Sequence, residues 1–199
     1  MRQRSRPVRS PSGEGRVRII AGRWRGRHLG VADLPGLRPT PDRLRETLFN
    51  WLSPELPAAR CLDLFAGSGA LGLEALSRGA SAAVLVESGA KAVTRLRENI
   101  AVLAAESAEV VGRDALTWLQ QAPVTPFDIA FLDPPFGSDL LLPACRLLLE
   151  RGWLKQGGLL YLESGVGTAA ALDLPAELTP HREARAGQVA CRLLRYTVG

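Results

Sequence analysis

The chain has 199 residues, of which 46% are apolar and 23% charged, and its net charge is +5; such a chain can bury a substantial core unaided, which excludes a disordered, collagen-like or coiled-coil protein. No apolar run approaches the ~20 residues of a spanning helix, so an integral membrane protein is not expected. The three cysteines, Cys61, Cys145 and Cys191, have no CxxC spacing, and reduced thiols in the cytoplasm are a simpler reading than a disulfide framework or a metal site.

Charge is distributed unevenly along the chain. Residues 1–45 carry twelve arginines against three carboxylates, whereas the remainder carries 13 basic and 17 acidic side chains. Arginine accounts for 23 of the 25 basic residues, and its planar fork suits phosphates and stacks on bases. Such a front end implies a polyanionic partner, most simply nucleic acid. Residues 1–15, with Pro7, Pro11, Gly13 and Gly15 and almost nothing apolar, read as a disordered basic tail.

Residues 16–56 read as a basic β-element followed by a helix, the nucleic-acid-binding part of the chain. Arg16 and Arg18 alternate with Val17 and Ile19, as in a strand with one buried face. If the chain stays extended, Arg23, Arg25 and Arg27 share one face about 6–7 Å apart, the spacing of successive phosphates, with Trp24 turned inward. Residues 31–39 read as a loop. Thr40 and Pro41 then supply a cap and a first helical position, and Leu44, Leu48 and Leu52 form one apolar stripe. Arg43 and Arg45 on this helix are further candidate contacts.

From residue 57 to 199 strands alternate with helices. Expected strands at Cys61–Phe65, Ser81–Glu87, Ala108–Val111, Phe127–Leu132 and Leu159–Glu163 are separated by expected helices at Ala70–Arg78, Ala90–Leu103, Ala115–Gln121 and Leu140–Arg151. This alternation implies a mostly parallel sheet with helices on both faces. Leu178–Arg185 and Gln188–Val198 flank Ala186-Gly187 with no room for a helix, and read as an antiparallel hairpin.

The first of these strands runs into Gly67-Ser68-Gly69-Ala70-Leu71-Gly72, a G-x-G-x-x-G turn between strand and helix, as a nucleoside cofactor requires. Glu87 follows Gly67 by 20 residues at the end of the next strand, where a carboxylate can accept from both ribose hydroxyls. Asp63 precedes the turn and is expected to face the ligand. A carboxylate there tolerates a cationic amino-acid tail and repels a pyrophosphate, which favours S-adenosylmethionine over a dinucleotide. Asp114, after the third strand, can accept from an adenine amino group or cap the following helix.

The fourth strand ends in Asp133-Pro134-Pro135-Phe136, where an open α/β sheet forms its ligand crevice. The Asp133 carboxylate and the Pro134 carbonyl can accept the two N–H bonds of a planar exocyclic amine, and Phe136 can stack on its ring. Held that way, the nitrogen lone pair points at a methyl group, and positioning with electrostatics suffices without a metal.

These residues resemble a known family. Arg18-Ile19-Ile20-Ala21-Gly22, Trp24-Arg25-Gly26-Arg27, Leu37-Arg38-Pro39-Thr40-Pro41-Asp42-Arg43, Arg45-Glu46-Thr47-Leu48-Phe49-Asn50, the stretch Leu62–Gly72 and the Asp133–Phe136 turn are similar to the RsmD family of bacterial 16S ribosomal RNA guanine-N2 methyltransferases. The resemblance implies a Rossmann-like class I methyltransferase fold, α/β, with a seven-stranded mostly parallel sheet whose last strand is antiparallel. It implies methylation of one guanine of 16S ribosomal RNA in the small subunit, leaving S-adenosylhomocysteine; a monomer is expected because no oligomerisation stripe is left over in the sequence. It places Asp133, Pro134, Pro135 and Phe136 at the target amine. Asp63, Phe65, Ala66, Gly67, Ser68, Gly69, Glu87, Asp114 and Ala115 then surround the cofactor, and Arg23, Arg25, Arg27, Arg43 and Arg45 meet the RNA. The competing readings are a DNA adenine-N6 or protein glutamine methyltransferase, a nicotinamide oxidoreductase, and a non-catalytic RNA-binding assembly factor.

Overall fold

The computed structural model describes residues 15–32, 42–121, 123, 125–135, 137–167 and 172–197; the expectations for Arg38, Thr40, Pro41, Phe136 and the tail before Gly15 fall outside them. Strand β1 (Arg16–Arg18) pairs antiparallel with β2 (His28–Gly30), and helix α1 (Asp42–Leu52) follows. The alternating body then runs β3 (Arg60–Asp63), α2 (Ala70–Ser77), β4 (Ala82–Val86), α3 (Ala90–Leu103), β5 (Ala108–Val111), α4 (Ala115–Leu119), β6 (Phe127–Leu132), α5 (Leu141–Glu150), β7 (Leu154–Gly165), β8 (Leu178–Ala186) and β9 (Val189–Tyr196).

β3 to β9 form one seven-stranded sheet in the order β5-β4-β3-β6-β7-β9-β8. The pairs β4–β5, β3–β4, β3–β6 and β6–β7 are parallel, and β9 runs antiparallel between β7 and β8. The fold class is the expected one, with the last strand reversed. β3 and β6 are neighbours whose following helices depart to opposite faces, which makes their carboxyl ends the switch point where such sheets bind ligands.

Each strand divides its side chains between two cores. Cys61, Leu85, Ile129, Phe131, Tyr161 and Leu193 pack under Leu48, Phe49 and Leu52 of α1, Leu73 of α2 and Leu96 of α3. Leu62, Val84, Ala130, Leu132, Leu160 and Leu162 pack against Leu119 of α4 and Cys145 and Leu148 of α5. Strands buried on both faces read as continuous apolar runs, which is why β3, β4 and β6 were visible as short hydrophobic blocks. β7 is longer than the expected Leu159–Glu163. It begins at Leu154 and passes through Gly157 and Gly158, with a register irregularity against β6. Glycines in a strand mark such irregularities, and here they hid its first turnless residues behind what reads as a loop.

The N-terminal hairpin is docked on α2 and α3. The buried Glu74 carboxylate accepts from the Ile20 amide (2.7 Å), the Ala21 amide (3.0 Å) and Arg78 Nε (2.6 Å). Ser77 carbonyl accepts from the Arg23 amide, and Ser77 Oγ accepts from the Trp24 amide and donates to the Ala21 carbonyl. Asn99 of α3 pairs through its amide with both backbone groups of Gly30 and donates to the Ser68 carbonyl. A Cβ on Gly22 would collide with the Ser77 carbonyl, so this approach requires glycine. Val17, Ile19, Trp24 and Leu29 are buried, and Ile19, Trp24 and Leu29 share the core of the sheet with Leu44, Leu48, Phe49, Leu52 and Leu56. Gly15 belongs to this hairpin as well, since its carbonyl accepts from the Val31 amide.

Candidate active site

The glycine turn joins β3 to α2 by backbone geometry that side chains disfavour. Gly67 has φ 52° and Gly69 φ 81°, both in the left-handed region open to glycine. Ala66 anchors the turn by donating to the Val86 carbonyl. Gly72 lies against Leu85 and the Asp63 Cβ, where an added Cβ would meet Leu85 at 2.9 Å. This lets α2 lie close over β3 and β4.

Glu87, just past β4, is half-buried and spans the crevice between the two strand ends. Its Oε2 accepts from the Gly67 amide at 2.9 Å and its Oε1 from the Gly89 amide at 2.7 Å. A carboxylate has about four acceptor positions, so it can hold the glycine turn and still accept from diol hydroxyls. Phe65 and Gly67 are half-buried, while Ala66, Ser68 and Gly69 are buried.

Asp63 does not face the crevice openly. It is 2% exposed, and its Oδ2 accepts from the Gly72 amide at 2.9 Å. Burial pushes its pKa up to about 7; the Gly72 bond opposes this shift and the Glu87 charge adds to it. Asp63 thus pins α2 to β3 from beneath the turn, because the close strand–helix approach leaves a buried amide that needs an acceptor. Asp114 is exposed and caps α4, accepting from the Thr117 amide and hydroxyl, both at 2.8 Å. Those bonds hold its carboxyl below the usual range. Ala115 is the buried first residue of that helix.

Asp63, Glu87 and Asp114 therefore stand at the ends of β3, β4 and β5 in turn. The Glu87 and Asp114 carboxylates suit a ligand rich in hydrogen-bond donors, such as an adenosine, and disfavour phosphates beside them, while Asp63 acts beneath the turn. The donor set fits S-adenosylmethionine. Among the described residues, no cluster of three or more side chains could hold a metal ion.

The second half of the site follows β6. β3 and β6 are hydrogen-bonded neighbours with Asp63 registered on Phe131, so the glycine turn and the Asp133-Pro134-Pro135 turn leave adjacent strand ends. Asp133 is half-buried, Pro134 buried and Pro135 exposed. Ser138 closes the turn, its amide and hydroxyl both donating to the Pro135 carbonyl. A concavity of about 330 Å³ lined by Ala58, Asp128, Lys155 and Gly157 lies at the opposite, amino ends of these strands, away from both turns.

The basic residues depart from the expected arrangement. Residues 21–26 form a turn, with Gly22 at φ 82° and Gly26 at φ 81°. The Arg25 amide donates to the Gly22 carbonyl and the Arg27 amide to the Trp24 carbonyl. Arg23, Arg25 and Arg27 are exposed but splay around this turn instead of standing in one row. The Arg23 guanidinium lies over the Trp24 ring, and Arg27 Nη2 donates to the Val102 carbonyl. Arg43 is exposed. Arg45 is fully buried, its Nη2 donating to the Arg18 carbonyl and to Asp42, so it holds α1 to the hairpin and offers no surface to RNA.

Sequence reasoning missed Glu74, Asn99, Tyr161 and Glu163. Glu163 is 4% exposed and Tyr161 fully buried. The Tyr161 hydroxyl donates to Glu163 Oε2 at 2.9 Å and lies 3.1 Å from Cys191 Sγ. The signal available was an acid two residues after a tyrosine in a strand otherwise apolar.

Comparison with known proteins converges on one group. The family model described as Conserved hypothetical protein 95 matches residues 17–195. "Ribosomal RNA small subunit methyltransferase D" of Escherichia coli strain K12 is 53% identical over 182 residues, 92% of this chain and 91% of that one. The protein of the same name from Haemophilus influenzae is 44% identical, covering 94% of this chain and 97% of its own. The solved structure of Escherichia coli yhhF superposes with a TM-score of 0.85 at 49% identity, over 92% of this chain and 99% of that one.

Proposed function

Because the chain belongs to the family matched by the Conserved hypothetical protein 95 model, the RsmD methyltransferases, we propose that it methylates the exocyclic N2 amine of one guanine in 16S ribosomal RNA of the small subunit, using S-adenosylmethionine. The observation that carries this reading is the adjacency of the glycine turn after β3 and the Asp133-Pro134-Pro135 turn after β6 on paired strands. One turn suits the cofactor and the other an amine, side by side at the switch point of the sheet.

When bound, S-adenosylmethionine supplies an electrophilic methyl group and leaves as the thioether. Glu87 would accept from its ribose hydroxyls, the backbone of Phe65, Ala66, Gly67, Ser68 and Gly69 would hold it, and Asp114 and Ala115 would serve its adenine. Asp133 Oδ and the Pro134 carbonyl accept the two N2–H bonds of the guanine. That grip would draw the nitrogen out of conjugation and free its lone pair for the incoming methyl group. Asp133 then takes the proton that N2 loses and releases it to water. Phe136 supplies the stacking face that receives the base after it leaves its own stack. Arg23, Arg25, Arg27 and Arg43 on the basic element contact phosphates and give affinity and register.

Two variants separate the halves of the site. Asp133→Ala should abolish turnover and leave S-adenosylmethionine affinity unchanged. Glu87→Ala should weaken that affinity about tenfold to a hundredfold, the worth of a charge-assisted hydrogen bond or two. Calorimetric titration with the cofactor and single-turnover methylation of hypomethylated small subunits measure both. A near wild-type single-turnover rate in Asp133→Ala would refute the assignment.

A further inference from the structure

The strand beside Asp133 carries a second, buried acid, Glu163. In the parallel pair β6–β7, Phe131 is registered on Tyr161 and Leu132 on Leu162, so Asp133, the first residue past β6, comes beside Glu163, which is still within β7. Neighbouring strands lie about 4.8 Å apart, and residues two apart share a face. Phe131 and Tyr161 do share one, with ring centroids 6.4 Å apart, and the Tyr161 hydroxyl reaches Glu163 Oε2 on it. Across β9, Glu163 is registered on Cys191. Burial first, and more weakly the Glu163 and Asp133 charges, push the Tyr161 hydroxyl and the Cys191 thiol up, with the Tyr161 bond opposing the shift at Cys191. The two carboxylates therefore act on the same small region.

We propose that Glu163 is a specificity-determining residue that accepts the N1–H of the target guanine while Asp133 accepts its N2–H. This rests on the guanine-N2 reading above and adds to it the means by which guanine is told from other purines. The edge of guanine carries two adjacent donors, N1–H and the N2 amine, and two adjacent carboxylates are its complement. Adenine presents a donor beside an acceptor there, and its N1 lone pair would face the Glu163 carboxylate. Glu163 is 4% exposed, so a base lacking N1–H leaves a buried acceptor oxygen against a lone pair, the situation in which a polar site discriminates most strongly. Tyr161 fills one of about four acceptor positions of the Glu163 carboxylate and fixes its orientation.

The test uses small-subunit RNA carrying either guanine or 2-aminopurine at the position the wild type methylates. 2-Aminopurine keeps the 2-amine and replaces N1–H by a lone pair. The wild type should prefer guanine by about a hundredfold or more. Glu163→Gln should reduce that preference at least tenfold, because its amide can donate to the N1 lone pair, while cofactor affinity stays unchanged. A role in packing alone would slow both substrates equally and leave the ratio unmoved, which would overturn the proposal. Should Glu163→Gln fail to fold, Glu163→Asp, which withdraws the carboxylate by one methylene, must lower the preference several-fold; an unmoved ratio there overturns the proposal as well. If nucleoside analysis of the wild-type product shows no N2-methylguanine, the guanine reading fails and this inference with it. N2-methylguanine together with an unmoved ratio removes this inference alone.

Discussion

Asp63 shows how one buried carboxyl serves the site through the fold. The folded protein retains a proton on Asp63 up to a pH of about 7, whereas the unfolded chain releases it near the ordinary carboxylate value of about 4. Folded molecules thus bind more protons over that interval, and stability contributed by Asp63 is full below pH ~4 and lost as the pH rises through ~7. Asp63→Asn keeps an oxygen for the Gly72 amide and removes the titration. The unfolding free energy of the wild type, minus that of Asp63→Asn, should therefore fall as pH rises from 4 to 8. Urea titrations at intervals across that range measure it, and a flat difference would show that Asp63 stays ionised in the fold. The site's other carboxylates were legible as types and places: an acid ending each of two successive strands, and another in a Pro-Pro turn. Which of them sits beneath the loop and which beside it was not, because that depends on how closely α2 approaches β3.

At the scale of elements, the strands and helices from β3 to β6 were readable because hydrophobic blocks alternate with helical stripes over a long stretch. Failures cluster where tertiary contacts decide. The stretch around Trp24 alternates charged and other residues like a strand, but Gly22 and Gly26 at positive φ turn it back on itself. Arg45 reads as a surface residue beside the stripe of Leu44, Leu48 and Leu52, yet it is fully buried because the hairpin presents the Arg18 carbonyl to it. Glu74 is the residue on which the docking of that hairpin turns. Replacing it by alanine leaves the Ile20 and Ala21 amides and the Arg78 guanidinium without their acceptor. Glu74→Ala should cost about 3 kcal/mol in stability, read as a lowered urea midpoint. A cost below ~1 kcal/mol would mean that the apolar contacts of Ile19, Trp24 and Leu29 hold the hairpin alone.

For the whole molecule, the asymmetry of charge becomes a prediction about RNA. Arg23, Arg25 and Arg27 are exposed at the N-terminal turn, and the chain beyond residue 45 carries more acidic than basic side chains. The triple variant Arg23→Ala, Arg25→Ala, Arg27→Ala should raise KM for the RNA substrate more than it lowers kcat. Each lost phosphate contact flattens the slope of log affinity against log salt by about 0.7–0.9. Because these side chains splay around a turn, the change should correspond to between one and three contacts. Binding to small subunits across a salt series decides it. Equal slopes for wild type and variant would move the RNA contact to Arg43 or another surface.

The hairpin is held largely by its main chain: Glu74, Ser77 and Asn99 all reach peptide groups of residues 20–30. A socket that grips peptide groups is indifferent to which polar side chains the gripped segment displays outward. The outer face of this turn is thus able to exchange residues while the scaffold that carries it stays put. Displayed side chains and architecture depend here on separate sets of atoms, so if the proposed RNA contact lies on this turn, a different substrate preference could be grafted there with the fold left unchanged.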